Sequence, residues 1–142
     1  MATRQEIINE ARKWIGTPHI HQARLMGKGI DCVGLIACVF KTLGVLNYDQ
    51  TQYGRGPTGV LPDILREQGF VEVSPDDRMP GDLGVFWFTN EKYPQHLALF
   101  TDIGILHSHQ GVGKVVETSL TPAWKKHLSG VFRLPEVEPW QQ

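Results

Sequence analysis

Gly29-Ile30-Asp31-Cys32-Val33-Gly34-Leu35-Ile36-Ala37-Cys38-Val39-Phe40-Lys41-Thr42-Leu43-Gly44 is the stretch on which the fold turns. From Val33 to Leu43 it is apolar on nearly every side, the pattern of a helix buried all round. Asp31 suits an N-cap, because its carboxylate accepts N–H groups that the first helical turn leaves unpaired. Gly44 stands where a left-handed residue closes a helix. Cys32 is then the first helical residue, at the positive end of the dipole. There a thiol loses its proton more easily, and the thiolate is the nucleophile. The expectation is a lowered pKa at Cys32 and an inert thiol at Cys38, which lies mid-helix among aliphatics.

With 142 residues the chain forms one domain, residues 1–142, with a core over about 3–135 and a tail at 136–142. Fourteen basic against 15 acidic side chains leave no electrostatic footprint for nucleic acid or an anionic membrane. No apolar run approaches the roughly 20 residues that span a bilayer, so no membrane insertion is expected. Met1-Ala2-Thr3-Arg4-Gln5-Glu6 runs into an amphipathic helix and not into the apolar core of a signal peptide. Synthesis in a bacterial cytoplasm without a signal peptide is the expectation. Two cysteines six residues apart in one helix are separated by about 9 Å, beyond the reach of a disulfide.

Thr3-Arg4-Gln5-Glu6 is a capping box. It opens a helix with Ile7, Ile8, Ala11, Trp14 and Ile15 on one face, stopped by Gly16. Thr17 to Gly29 connects it to the central helix and carries His19, His21 and Gln22. Val45 to Val60 has no sustained period, and its Tyr53-Gly54-Arg55-Gly56-Pro57 is turn-rich. Leu61 to Gln68 reads as a third helix. Strands follow at Phe70–Val73, Leu83–Phe88, His96–Thr101, Gly104–His109, Lys114–Thr118 and Val131–Leu134, with a helical turn around Ala123–Leu128. Helices first and an antiparallel sheet second make an α+β fold.

A cysteine nucleophile needs a base, and the base an orienting partner. His96 opens a strand, and a histidine on the sheet facing a cysteine at a helix N-terminus is the papain-like arrangement. The partner depends on the hairpin between His96–Thr101 and Gly104–His109. If its turn centres between Thr101 and Asp102, His96 faces His107. If it centres between Asp102 and Ile103, His96 faces His109. Either register puts both on one face, and a left-handed Gly104 would complicate both.

Five blocks in order resemble the NlpC-type cell-wall cysteine peptidases: Gly16-Thr17-Pro18, Gly29 to Leu35, Pro80-Gly81-Asp82-Leu83, His96-Leu97-Ala98-Leu99-Phe100 and Ile105-Leu106-His107. The resemblance runs from about Ile7 to Pro135. It implies a papain-like single domain, its helices packed on an antiparallel sheet and its nucleophile at the N-terminus of the central helix. It assigns Cys32 as nucleophile, His96 as base and His107 as third residue, with no cofactor. Its substrates are peptidoglycan stem peptides, cut between γ-D-glutamate and the diamino acid. Asp31, His19 and His109 are the further candidates for substrate or oxyanion contacts. Two positions depart from the family pattern: Val33 replaces the serine usual after the cysteine, and His19 replaces a tyrosine associated with the oxyanion.

Tyr53-Gly54-Arg55, Val115-Val116-Glu117 and Phe132-Arg133-Leu134-Pro135 further resemble the subgroup encoded among phage tail genes and gene-transfer-agent clusters. That likeness implies assembly into a phage-like tail with tail-tip, hub or baseplate proteins as partners. The Val45–Val60 loop and the tail with Trp140 are the segments expected to contact them. Other readings are an inactive structural tail component, an intracellular amidase recycling wall peptides, and a zinc site built from the His19/His21 and His107/His109 pairs.

Overall fold

The computed structural model describes residues 2–47 and 60–135. Most of the turn-rich loop and the tail from residue 136, including Trp140, lie outside them. The capping box forms as expected: the Glu6 N–H donates to Thr3 Oγ1 at 3.1 Å, and the Thr3 N–H donates to Glu6 Oε1 at 2.9 Å. Helix α1, Arg4–Arg12, is shorter than its apolar stripe. The chain leaves it so that the Gly16 N–H can pair with the Val115 carbonyl. Trp14 stays buried in that turn, while Ile15 is exposed. Next comes a small hairpin that the sequence did not announce, β1 (Arg24–Leu25) with β2 (Gly29–Ile30), turning at left-handed Gly27.

β2 delivers the chain into α2, Cys32–Thr42. Asp31 Oδ1 accepts from the Gly34 N–H at 2.8 Å, and Gly44 is left-handed beyond the last turn. Gly34 to Ala37, Val39 and Phe40 are buried. Cys32, Val33 and Cys38 are half-buried and Lys41 is exposed, so one side of this helix is open where all-round burial was expected. α3 spans Leu61–Glu67.

The sheet follows: β3 (Val71–Val73), β4 (Leu83–Phe86), β5 (His96–Phe100), β6 (Ile105–His109), β7 (Lys114–Thr118) and β8 (Leu128–Arg133), with α4 (Pro122–Lys126) before β8. Spatial order is β3-β8-β4-β5-β6-β7, every pair antiparallel. β4 stops at Phe86, where a register shift against β8 breaks its pairing; β8 starts earlier than its apolar run, at Leu128, to reach that residue. β5 is buried along its whole length. Leu97 and Leu99 join the core with α1 and α2, while Ala98 and Phe100 pack with Phe86, Ile105, Val131 and Trp124 on the other face. Buried Asp82 ties the layers together. Its carboxylate accepts from Arg4 Nη1 at 2.8 Å, from Arg133 Nε and Nη2 at 3.0 and 2.8 Å, and from the Met79 N–H at 2.8 Å.

Leu99 pairs with Leu106 and Phe100 with Ile105, so the hairpin turns between Asp102 and Ile103. Gly104 does not use a left-handed conformation. Its glycine is required by space, because a Cβ there would strike the Thr118 carbonyl oxygen and come within 2.7 Å of the Leu120 nitrogen.

Candidate active site

The β5–β6 ladder ends at Leu99 and Leu106. Thr101 donates its N–H to the Gly104 carbonyl, and by the alternation of an antiparallel strand the Leu97 N–H points to the same side. No β6 residue pairs with Leu97. Its N–H faces the Cys32 sulfur instead. The N-terminus of α2 therefore meets the sheet at the start of β5, beyond the last β5–β6 pair. This brings the thiol beside the residue that follows His96.

His96 Nε2 lies 2.6 Å from His107 Nδ1. Continuing the observed pairing places His109, not His107, directly opposite His96, yet the hydrogen bond runs diagonally to His107. His109 is turned away: its Nδ1 accepts the Gly111 N–H at 3.1 Å, and its ring centre is 6.3 Å from that of His96. The 2.6 Å contact holds one proton. When His96 Nε2–H donates to His107 Nδ1, the other nitrogen of His96 keeps a lone pair with which to take the Cys32 proton. The His107 proton then sits on Nε2, which is buried without a hydrogen-bond partner. Trp124 on α4 stands perpendicular to the His107 ring at 5.0 Å and also packs on His96 and His109. Nothing in the sequence singled out Trp124. α4 is a short helix of five residues, and the ring contacts that bring Trp124 to the site are all with residues distant in sequence.

Asp31 is fully engaged. Besides the Gly34 N–H, it accepts from the Gln22 N–H at 2.7 Å and from Arg24 Nη1 at 3.1 Å, with His21 Nδ1 at 3.9 Å. Gln22 is the one non-glycine described residue with positive φ, +65°, a conformation that aims its N–H at this carboxylate. Asp31 thus ties the Gln22–Arg24 segment to the first turn of α2, at the start of the helix that carries Cys32. His19 Nδ1 lies 2.7 Å from Ser108 Oγ, and the Ser108 hydroxyl donates to the Ile30 carbonyl at 2.8 Å. Ser108 is fully buried. It lies between His107 and His109 in sequence but on the opposite face of β6. A small polar residue two positions from Leu106, on the core-facing side of the strand, was the signal for it.

Burial decides the protonation states. It pushes the Cys32 thiol up to about 11, outweighing the N–H groups of Leu97, Val33 and Cys32 itself; Asp31 pushes the same way. Burial, with nearby His107, holds His96 well below its ordinary value, and burial, with His109, takes His107 down to about 3. His19 and His109 are lowered by the same cause. The resting pair is neutral thiol and neutral imidazole. Burial of the sulfur opposes the lowering expected from the helix dipole, pushing the thiol up against what the first-turn N–H groups return. Cys38 is half-buried, and neither cysteine is in a disulfide. Among the described residues no group of three or more histidine, cysteine, aspartate or glutamate side chains is arranged to hold a metal ion. No described helix is long and apolar enough to cross a membrane.

Comparison with known proteins fits this geometry. The chain is 27% identical over 135 residues to a gamma-DL-glutamyl hydrolase of Bacillus subtilis (strain 168), an alignment covering 92% of this chain and 29% of that protein. The fold is similar to a crystal structure of an NlpC/P60 family protein from Bacillus cereus ATCC 10987, with TM-score 0.72 and 24% identity over 93% of this chain and 40% of that one. It is also similar to the NlpC/p60 domain of the peptidoglycan hydrolase SagA, with TM-score 0.61 and 25% identity over 92% of this chain and 97% of that domain. The chain therefore spans well under half the length of the first two proteins. The NlpC/P60 family profile matches residues 16–133, which cover both cysteines, all six histidines and the whole sheet, and the chain belongs to the NlpC/P60 family.

Proposed function

We propose that this chain is a cysteine endopeptidase of peptidoglycan stem peptides, with Cys32 as nucleophile, His96 as base and His107 as the residue that orients His96. The single observation carrying this reading is the 2.6 Å His96–His107 bond at the strand end against which the Cys32 sulfur lies. His96 takes the Cys32 proton as the thiolate attacks the amide carbonyl. The resulting oxyanion meets N–H groups at the start of α2. The imidazolium returns the proton to the leaving amine, and water then hydrolyses the acyl-enzyme. A neutral resting pair means that the thiolate forms during attack and is not stored beforehand. The bond between γ-D-glutamate and the diamino acid is the proposed target, supported by the likeness to a gamma-DL-glutamyl hydrolase. Digestion of purified peptidoglycan with the wild type and Cys32→Ala, products read by mass spectrometry, tests it. Loss of all cleavage products in Cys32→Ala is expected, and unchanged products would overturn the reading.

We also propose that the enzyme acts from a phage-like tail, in contact with tail-tip or baseplate proteins. This rests on the likeness of residues 53–55, 115–117 and 132–135 to the tail-associated subgroup. Purified particles should contain the chain at a few fixed copies. Its presence only in the host cytoplasm would favour a wall-peptide recycling amidase. A structural tail component without activity is the alternative, motivated by the Val33 and His19 departures from the family pattern, and the same digestion separates the two.

A further inference from the structure

His19 is the family position associated with the oxyanion, and an imidazole there serves that purpose only if it offers a proton. The hydrogen-bond chain around Ser108 determines whether it can. A serine hydroxyl has one proton and accepts at its lone pairs. The Ser108 proton goes to the Ile30 carbonyl, 2.8 Å away, since that oxygen can only accept. Toward His19 Nδ1, at 2.7 Å, Ser108 Oγ is left to accept, so the imidazole proton sits on Nδ1. The neutral ring then carries a lone pair on Nε2. The opposite assignment would set two lone pairs against each other at the Ser108–Ile30 contact, inside a buried pocket where that is costly.

His19 bridges Ile30, two residues before Cys32, and its ring meets Ser108 on the strand that carries His107 and His109, so it lies on the segment leading to the nucleophile. Its backbone is pinned as well, with the His19 N–H donating to the Gly113 carbonyl at 2.8 Å. An aligned lone pair beside a forming oxyanion repels it, whereas a peptide N–H is attracted.

We propose that Ser108 is a positioning residue that locks His19 in its Nδ1–H tautomer, so that His19 Nε2 accepts a hydrogen bond from a substrate peptide N–H and does not stabilise the oxyanion. The assignment deepens the proposed endopeptidase reading and rests on it for the substrate. The same serine holds the Ile30 carbonyl, two residues before Cys32, so one hydroxyl sets both the acceptor and the approach of the chain to the nucleophile.

Two experiments test this. The first is NMR of the full chain carrying Cys32→Ala and nitrogen-15-labelled histidine, which reads the tautomer without any need for activity. His19 should be protonated at Nδ1 and unprotonated at Nε2 at neutral pH. Ser108→Ala should weaken this preference, leaving only the main-chain carbonyl of Ser108 toward the ring, and Ser108→Thr should keep it in full. A His19 protonated at Nε2 in the parent chain overturns the proposal. Addition of the tripeptide L-Ala-γ-D-Glu-diaminopimelate should shift His19 Nε2 as an accepting nitrogen. Binding that perturbs the residues around Cys32 but leaves Nε2 unmoved overturns the acceptor role. Absence of binding defeats the endopeptidase reading and the acceptor role with it, but leaves the tautomer decided by the unliganded spectrum.

The second compares His19→Gln, whose side chain can accept, with His19→Lys, which can only donate. His19→Lys should raise KM about tenfold with kcat changed less than about threefold, while His19→Gln, which can still accept, should raise KM clearly less than His19→Lys does. Equal or higher kcat/KM in His19→Lys would show that a donor is wanted there, and the proposal falls.

Discussion

His96 bonds His107, although the strand register sets His109 across from it. The diagonal works because imidazole rings reach the neighbour two residues away on the facing strand. It also works because His109 spends its Nδ1 on the Gly111 N–H. His96→Ala should therefore lower kcat by roughly 10²–10⁴-fold, the usual worth of a positioned acid–base group. His107→Ala should lose less, His107→Asn should recover part of that loss through its accepting amide oxygen, and His109→Ala should be mild. Steady-state kinetics on a stem-peptide substrate gives the ranking. A His109→Ala defect larger than that of His107→Ala would reject the diagonal dyad.

The neutral resting pair predicts an unusual alkylation profile. Cys32 is pushed up to about 11 by burial, and an acid with a raised pKa stays protonated through neutral pH. Iodoacetamide should label native Cys32 slowly at pH 7, with a rate that climbs toward alkaline pH. For kcat/KM the sign runs the other way at the acid end. His96 lies well below its ordinary value, so the active neutral form persists as pH drops past about 6.5, the ordinary histidine pKa. Rapid labelling at neutral pH with an inflection well below that of an ordinary thiol would mean that a stored thiolate–imidazolium pair exists after all.

The central helix was legible almost to the residue, because capping at Asp31, an apolar run and closing Gly44 are local signals that agree with the tertiary fold. β7 matched its expected bounds for the same reason. What could not be read locally was set by distant partners. α1 ends early because Gly16 pairs with β7, and β8 begins early because Phe86 recruits Leu128. The histidine register hung on whether the turn centred between Thr101 and Asp102 or between Asp102 and Ile103, and the structure has the second. That Gly104 is needed for space and not for a left-handed turn depends on Thr118 and Leu120, residues contributed by another strand and its exit. For the thiol, the helix dipole is visible in a sequence, whereas the burial of one sulfur against Leu97, which opposes it, is not.

Asp82 offers a test of the scaffold separate from the chemistry. Its buried carboxylate meets two guanidinium groups and one backbone N–H, and it joins α1, the Met79–Asp82 turn and β8. Removing the carboxylate while leaving Arg4 almost wholly buried strands a charge, which costs about 3–5 kcal/mol. Asp82→Ala should lower the urea midpoint accordingly at unchanged slope. A loss under about 1 kcal/mol, the level of an exposed pair, would show that the carboxylate is not the hub it resembles.

Trp124 supplies the remaining wall of the histidine cluster, and its contribution shows in pH dependence more than in stability. Its ring centre lies 5.8, 5.0 and 5.4 Å from those of His96, His107 and His109, and it excludes water from the face of the sheet away from α2. Those histidines are lowered chiefly by burial. Opening that wall with Trp124→Ala should move their pKa values back up toward the ordinary value, because hydration stabilises the imidazolium. The acidic limb of kcat/KM should then shift to higher pH, so that the variant loses most activity in mildly acid solution and least under alkaline conditions. Trp124→Phe keeps an aromatic wall and should hold the wild-type limb. Histidine titration by NMR measures the shift directly. Unmoved pKa values in a folded Trp124→Ala chain would mean that β-strand packing alone keeps the dyad dry.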